Sequence, residues 1–317
     1  MVSITVYLAI AMGLASVVCL VWTIRHRKQG DTALRVLATA AVLLTALYFT
    51  AIVVITGGYR VQPLDFTTTT EDHEFSWSDP DGPYLSRMRE EFALDSIVQD
   101  TTDDFERMKR VSTWVHGLWD HDGYNQPQAN DPISIVKEAA EGNHFRCVEY
   151  SIVLQGALNA LGIPARTLGL KTSDVETRES GAGHVVVEAY LQDMDKWVMI
   201  DSQFDVIPLL DGIPLSAVEL QDALARGARG LDVASASGST TLLDHLKHRV
   251  FYFNWIGQYL YFFDVPLDHR FVTGASQQKL MLVPLGADPP TVFQRKWPLG
   301  DLIHTSSIEA FYPRPGR

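Results

Sequence analysis

Cys147, His184 and Asp201 are the residues of this chain whose types and order suit nucleophilic chemistry. Attack on a carbonyl needs the thiolate, so the thiol's pKa must fall well below its free value of about 8.5. A helix N-terminus favours a negative sulfur through its free N–H groups and its dipole. A neighbouring imidazole does more, because it takes the proton. The imidazole needs an acceptor on its other nitrogen to fix its tautomer, and a carboxylate provides one. The chain has two cysteines. Cys19 sits inside a long apolar run, so Cys147 is alone in the remainder and belongs to no disulfide framework. A lone thiol is either a small buried hydrophobe or a nucleophile, and its surroundings decide which.

The elements that must position these residues are legible from apolar period and punctuation. Asp103 to Trp119 reads as a helix, with Phe105, Met108, Val111, Trp114, Val115 and Leu118 at three- and four-residue spacing. A second helix follows Asp131 as N-cap and Pro132 in the first turn. A third begins near Asn143 and runs to Leu161, where Gly162 and Pro164 stop it; it carries Cys147 in its first turn. Three β runs follow: Ala165 to Leu170, His184 to Leu191 and Lys196 to Asp201, the last two flanking a hairpin-like turn. If that turn centres on Asp193 and Met194, Asp201 faces Val186, and His184, two residues away, points to the same side. His184 and Asp201 are then diagonal neighbours within side-chain reach, although a slip of one residue would flip one of them. Beyond Asp205, Leu215 to Arg226 reads as a helix. Leu242 to Phe263 reads as another, rich in aromatics, with His245, Lys247, His248 and Arg249 at its start. Residues 264–317 read as strands and loops.

The formal net charge of −12 argues against a nucleic-acid partner, which requires a basic patch. At 317 residues, the chain has room for a membrane segment and one large domain or two modest ones. Residues 4–24 and 36–57 are free of charge, and each run is about 20 residues, enough to cross a hydrocarbon core as a helix. Between them stand Arg25, Arg27, Lys28 and Arg35 against a single Asp31. By the positive-inside rule the short loop 25–35 is cytoplasmic, and everything after Gly57 faces outward. A cleaved signal peptide fits less well, because no charged region precedes the first apolar run. The sequence therefore predicts an integral membrane protein with a transmembrane hairpin over 1–57, a linker over 58–83 and an extracytoplasmic domain from Tyr84.

The string GNHFRCVEYSIVLQGALNALGIPAR (Gly142 to Arg166) resembles the cysteine motif of the transglutaminase-like superfamily. GHVVVEAYL (Gly183 to Leu191) is similar to that family's histidine strand, and KWVMID (Lys196 to Asp201) to its aspartate strand. The three blocks stand in family order and cover about residues 100–205. The resemblance implies that Cys147 is the nucleophile, His184 the general base and acid, and Asp201 the orienting carboxylate. It also implies a papain-like α+β core over 84–205, in which the helical part packs on an antiparallel sheet, with 206–317 as an extension or second subdomain. Four residues, Asn143 to Arg146, separate Gly142 from Cys147, more than is usual in the family. Val186 stands where an aromatic is common, and Ser202 where a proline often follows the aspartate. The implied activity is thiol-dependent acyl transfer on a protein, peptide or carboxamide substrate through a thioester, as protease, amidase or transglutaminase, with no cofactor and no metal. The alternative is a non-catalytic binding or scaffold domain of the cell envelope. The Cys147 N–H is the oxyanion donor expected, with the Trp119 indole as a second candidate that reads more simply as an aromatic anchor.

Lesser features carry bland readings. Arg166, Glu188 and Tyr190 read as structural. Asp120, Asp122 and Gly123 form a fragment of a calcium loop whose remaining ligands are missing. His245 and His248 lack a visible third metal ligand. The aromatic stripe from Phe251 to Phe263 reads as core packing.

Overall fold

The structure is a computed structural model that describes residues 16–18, 21–22, 25, 36–45, 61–236, 251–272, 278–300 and 302–316. The chain divides into two compact units, Met1–Tyr59 and Arg60–Arg317. In the first, the longest described helical stretch is 36–45. At 1.5 Å per residue it spans about 15 Å, half of a hydrocarbon core. Among the described residues no helix is long and apolar enough to cross a membrane. The expected transmembrane hairpin is thus corrected: the α+β core stands without it. Most of the runs 4–24 and 36–57, and of the loop between them, lies outside the described residues.

The second unit opens with helices α1 (Pro83–Glu91), α2 (Leu94–Ile97), α3 (Asp104–His116) and α4 (Pro132–Ala140). The Asp103 carboxylate accepts the Glu106 N–H at 2.8 Å and so caps α3. The Asp131 carboxylate accepts the Ser134 N–H at 3.2 Å, and Pro132 opens α4. Helix α5 (Cys147–Ala160) is buried along most of its length, as an apolar helix threading a core must be. It starts four residues later than its apolar pattern suggests. The reason is local: Phe145 O accepts the Asp122 N–H at 3.0 Å and His144 O accepts the Asn125 side-chain amide at 2.9 Å, which ties 144–145 to the loop 120–125 instead of to a helical turn. Gly156 lets α4 approach closely, since a Cβ there would lie 2.6 Å from Pro132. Gly162, at φ +78°, ends the helix in the left-handed region.

Strands β1 (Ala165–Lys171), β2 (Gly183–Leu191) and β3 (Lys196–Ile200) form consecutive antiparallel pairs. Val187 faces Ile200 and Leu191 faces Lys196, which is the register read from the hairpin turn. A small sheet follows, of β4 (Val206–Leu210), β5 (Ile213–Pro214) and β6 (Leu231–Ser235), with helix α6 (Ala217–Ala225) between β5 and β6. The predicted long helix 242–263 holds over 251–259, in π, α and 3₁₀ turns, and is corrected at its end; 242–250 lie outside the described residues. Helix α7 (Phe253–Ile256) and a 3₁₀ turn (Gly257–Tyr259) are short, and the chain then becomes strand β7 (Phe262–Pro266). The edge of β1 supplies the reason: Gly169 and Leu170 pair with Asp264 and Phe263, satisfying backbone groups that a helix would leave bare.

The rest of the tail adds β8 (Lys279–Leu282), the hairpin β9 (Val292–Phe293) with β10 (Trp297–Pro298), β11 (Leu302–Thr305) and helix α8 (Ile308–Phe311). The main sheet runs β11-β8-β7-β1-β2-β3, so strands from both halves share it. Both of its faces are covered. One packs on α1 and α3 to α5 through residues such as Leu154, Leu158 and Val187. The other packs on the tail through residues such as Leu168, Val186 and Phe263. Residues 61–78 lie along the same unit, where Thr67 bridges Ser307 and Ser76 bridges Asp268.

Candidate active site

Cys147 is the first residue of α5, half-buried, with the free N–H groups of the first turn around it. Glu149, fully buried, closes that turn: its carboxylate accepts the Arg146 N–H at 3.0 Å and pairs with the Arg146 guanidinium at 2.5 Å. Ser151, one turn on, lies 3.0 Å from both Cys147 O and Val185 O and ties the start of the helix to β2. His184, the second residue of β2, and Asp201, just past β3, meet as the register requires, with His184 Nε2 2.7 Å from Asp201 Oδ2. Both are buried. Cys147 lies near enough to His184 and to the Val185 N–H for both to act on its thiol. The structure therefore brings all three sequence-derived residues into one chain of contacts.

Their electrostatics agree with the geometry. Burial alone would keep the Cys147 thiol neutral, but the charge of His184, its hydrogen bond and the Val185 N–H together take the pKa below its ordinary value. Burial would likewise lower the imidazole, yet Asp201 and Cys147 raise it to about 10. Both shifts favour a thiolate–imidazolium pair, the activated form of a nucleophilic cysteine.

Further residues converge here from parts of the chain without a motif. Trp255 meets the His184 ring edge-on at 4.9 Å, Phe204 at 6.0 Å, and Tyr259 lies tilted at 6.1 Å. Tyr252 Oη lies 3.0 Å from Asp201 Oδ2, and the Phe204 N–H is 3.3 Å from Oδ1. The charge of His184 also reaches His121, whose pKa falls through partial burial and that like charge. The signal for Tyr252, Trp255 and Tyr259 was the aromatic density of 251–263, which reads equally well as core.

The other singled-out residues lie elsewhere. Arg166 and Glu188 are a fully buried pair at 2.8 Å. Arg166 also donates to Phe311 O at 2.7 Å, and Tyr312 Oη donates to Glu188 at 2.8 Å. Tyr190 donates to Asp195 beside the hairpin turn. Trp119 packs on Phe145 and Tyr150, and its carbonyl accepts the Tyr150 hydroxyl at 2.6 Å; its indole N–H meets no acceptor among the described residues. Asp122 accepts the N–H groups of Tyr124 and Asn125, which shapes a turn. Among the described residues no group of three or more His, Cys, Asp or Glu side chains is arranged to hold a metal ion. His245 and His248 lie outside the described residues.

The sequence profile of the transglutaminase-like superfamily matches residues 92–202, the span that contains all three residues. No curated protein matches the chain. Among solved structures, a candidate cysteine protease from Cytophaga hutchinsonii is similar at 15% identity and a TM-score of 0.32, over 48% of this chain and 50% of that one. A TGase is similar at 18% identity and a TM-score of 0.29, over 38% of this chain and 31% of that one. A candidate protease from Parabacteroides distasonis is similar at 13% identity and a TM-score of 0.29, over 58% of this chain and 41% of that one. The chain thus spans half or less of each of these structures.

Proposed function

We propose that residues 92–202, which match the model of the transglutaminase-like superfamily, form a domain of that kind, and that the protein is a thiol-dependent enzyme transferring acyl groups from peptide or carboxamide substrates. The observation that carries this reading is the line from the sulfur of Cys147 through His184 to Asp201, with His184 Nε2 2.7 Å from the carboxylate. The Cys147 thiolate attacks the substrate carbonyl, and the negative charge moves to the carbonyl oxygen. Free N–H groups at the start of α5, that of Cys147 first, face that charge. As the tetrahedral adduct collapses, the C–N bond breaks and His184 gives its proton to the departing amine. A thioester to Cys147 remains. Water or a second amine attacks it, His184 takes back a proton, the C–S bond breaks and the thiolate returns. Water makes the enzyme a protease or amidase; an amine makes it a transglutaminase.

Iodoacetamide tests the activated thiolate directly. At pH 6 a free cysteine is almost wholly protonated, so Cys147 is expected to alkylate about tenfold faster or more. A rate no faster than that of free cysteine overturns the reading. Incubation with casein and monodansylcadaverine then separates the outcomes: fluorescent casein reports amine transfer and new peptide fragments report hydrolysis. Cys147→Ala is expected to abolish whichever occurs.

A further inference from the structure

Asp201 is 1% exposed, so protein donors must satisfy its carboxylate. Three do so: His184 Nε2 and Tyr252 Oη both reach Oδ2, at 2.7 and 3.0 Å, while the Phe204 N–H reaches Oδ1 at 3.3 Å. The backbone donor is set by the turn after β3. The hydroxyl comes from 251–259, a segment outside the matched span 92–202. We infer that Tyr252 is a fourth, positioning residue of this site, whose hydroxyl fixes the plane of the Asp201 carboxylate and so holds His184 against Cys147. This inference rests on the acyl-transfer reading above.

The surroundings suit that role. Tyr252 is buried, and its ring is fixed by Phe204 at 5.6 Å, Phe253 at 6.1 Å and Trp255 at 6.1 Å. Burial and then the charge of Asp201 raise its pKa well above the ordinary tyrosine value, so the hydroxyl keeps its proton and remains a donor. With Oδ1 and Oδ2 each engaged, the carboxylate resists rotation about its Cβ–Cγ bond. Without the hydroxyl, Oδ2 keeps His184 alone and Oδ1 keeps the Phe204 N–H at 3.3 Å, so the carboxylate is held less firmly, the bond to His184 lengthens, and the imidazolium loses part of its counter-charge. The thiolate then loses its own partner, and the thiol pKa climbs toward the free value. Other titratable groups that the charges of the three residues reach are His121, Tyr150 and Tyr259.

The test uses the full chain with iodoacetamide as probe, peptide mapping to assign the label to Cys147, and rates from pH 5 to 9. Tyr252→Phe keeps the ring and removes the donor. It is expected to move the midpoint of the rate–pH curve up by about one unit, which at pH values below the midpoint is an alkylation about tenfold slower. A wild-type rate and midpoint overturn the assignment. Phe253→Leu thins the neighbouring packing and leaves the hydroxyl; it is expected to leave the midpoint in place, and an equal shift there overturns the assignment in favour of packing. Asp201→Asn separates this inference from the reading beneath it. If Asp201→Asn slows alkylation and Tyr252→Phe does not, only Tyr252 loses its role. If neither slows it, the triad falls as well.

Discussion

His184 sits where burial alone would keep an imidazole neutral, and Asp201 with Cys147 overrides that, raising its pKa to about 10. The sign of the linkage follows. A group whose pKa rises on folding stabilises the folded chain fully below its unfolded value, near 6.5, and that stability is lost as the pH climbs through about 10. The thiol of Cys147 is lowered, so its contribution is present above its unfolded value and is lost as the pH falls through the folded one. The proposed acyl transfer needs the imidazolium as acid, so that activity is expected to decline as the pH passes about 10, whereas alkylation, which needs only the thiolate, does not. Asp201→Asn removes the chief counter-charge. A histidine NMR titration is expected to find the His184 pKa lower by about one to three units in that variant; an unchanged value contradicts the coupling.

Helix α5 and the hairpin of β2 and β3 carry the site between them, and each is held by partners distant from the chemistry. Ser151 ties α5 to β2 through Cys147 O and Val185 O. Arg166 on β1 pairs across to Glu188 on β2, stacks over Trp197 at 4.3 Å and Phe311 at 4.9 Å, and donates to Phe311 O. It therefore joins the sheet to the chain's last helix, α8. Arg166→Ala leaves Glu188 buried and without its cation. Breaking such a pair costs about 3–5 kcal/mol, and urea denaturation is expected to show a loss of that size with the m-value unchanged. A loss under about 1 kcal/mol, the worth of a surface ion pair, contradicts the structural role assigned to it.

In the second unit as a whole, the tail completes the site. Strand β7 adds to β1, and the segment just before it carries Tyr252, Trp255 and Tyr259 to the triad. The junction depends on Gly169: a Cβ there would collide with the Asp264 carboxylate, which is buried and held by Lys171 and Lys279. Gly169→Ala is expected to destabilise by about 1–3 kcal/mol, the usual cost of overpacking, visible as a lower melting temperature. Displacement of β7 is expected to shift Tyr252 as well, so alkylation of Cys147 slows in parallel. Lower stability with wild-type reactivity counts against this coupling.

The sequence alone determined the local parts. Asp103, Asp131 and Gly162 mark helix ends by capping chemistry that acts within a few residues. The two-residue period of the strands, together with the turn between them, sets a register that puts His184 and Asp201 on one face. Tertiary structure decided what depends on partners far along the chain. Asn143 has a helical pattern, but the loop 120–125 claims the backbone beside it, so α5 begins at Cys147. The aromatic run 251–263 suits a helix by composition, yet the open edge of β1 makes its end a strand and so delivers Tyr252 to Asp201. An unpaired strand edge and a buried carboxylate are demands of the folded whole, and no period in the segment that meets them records either one.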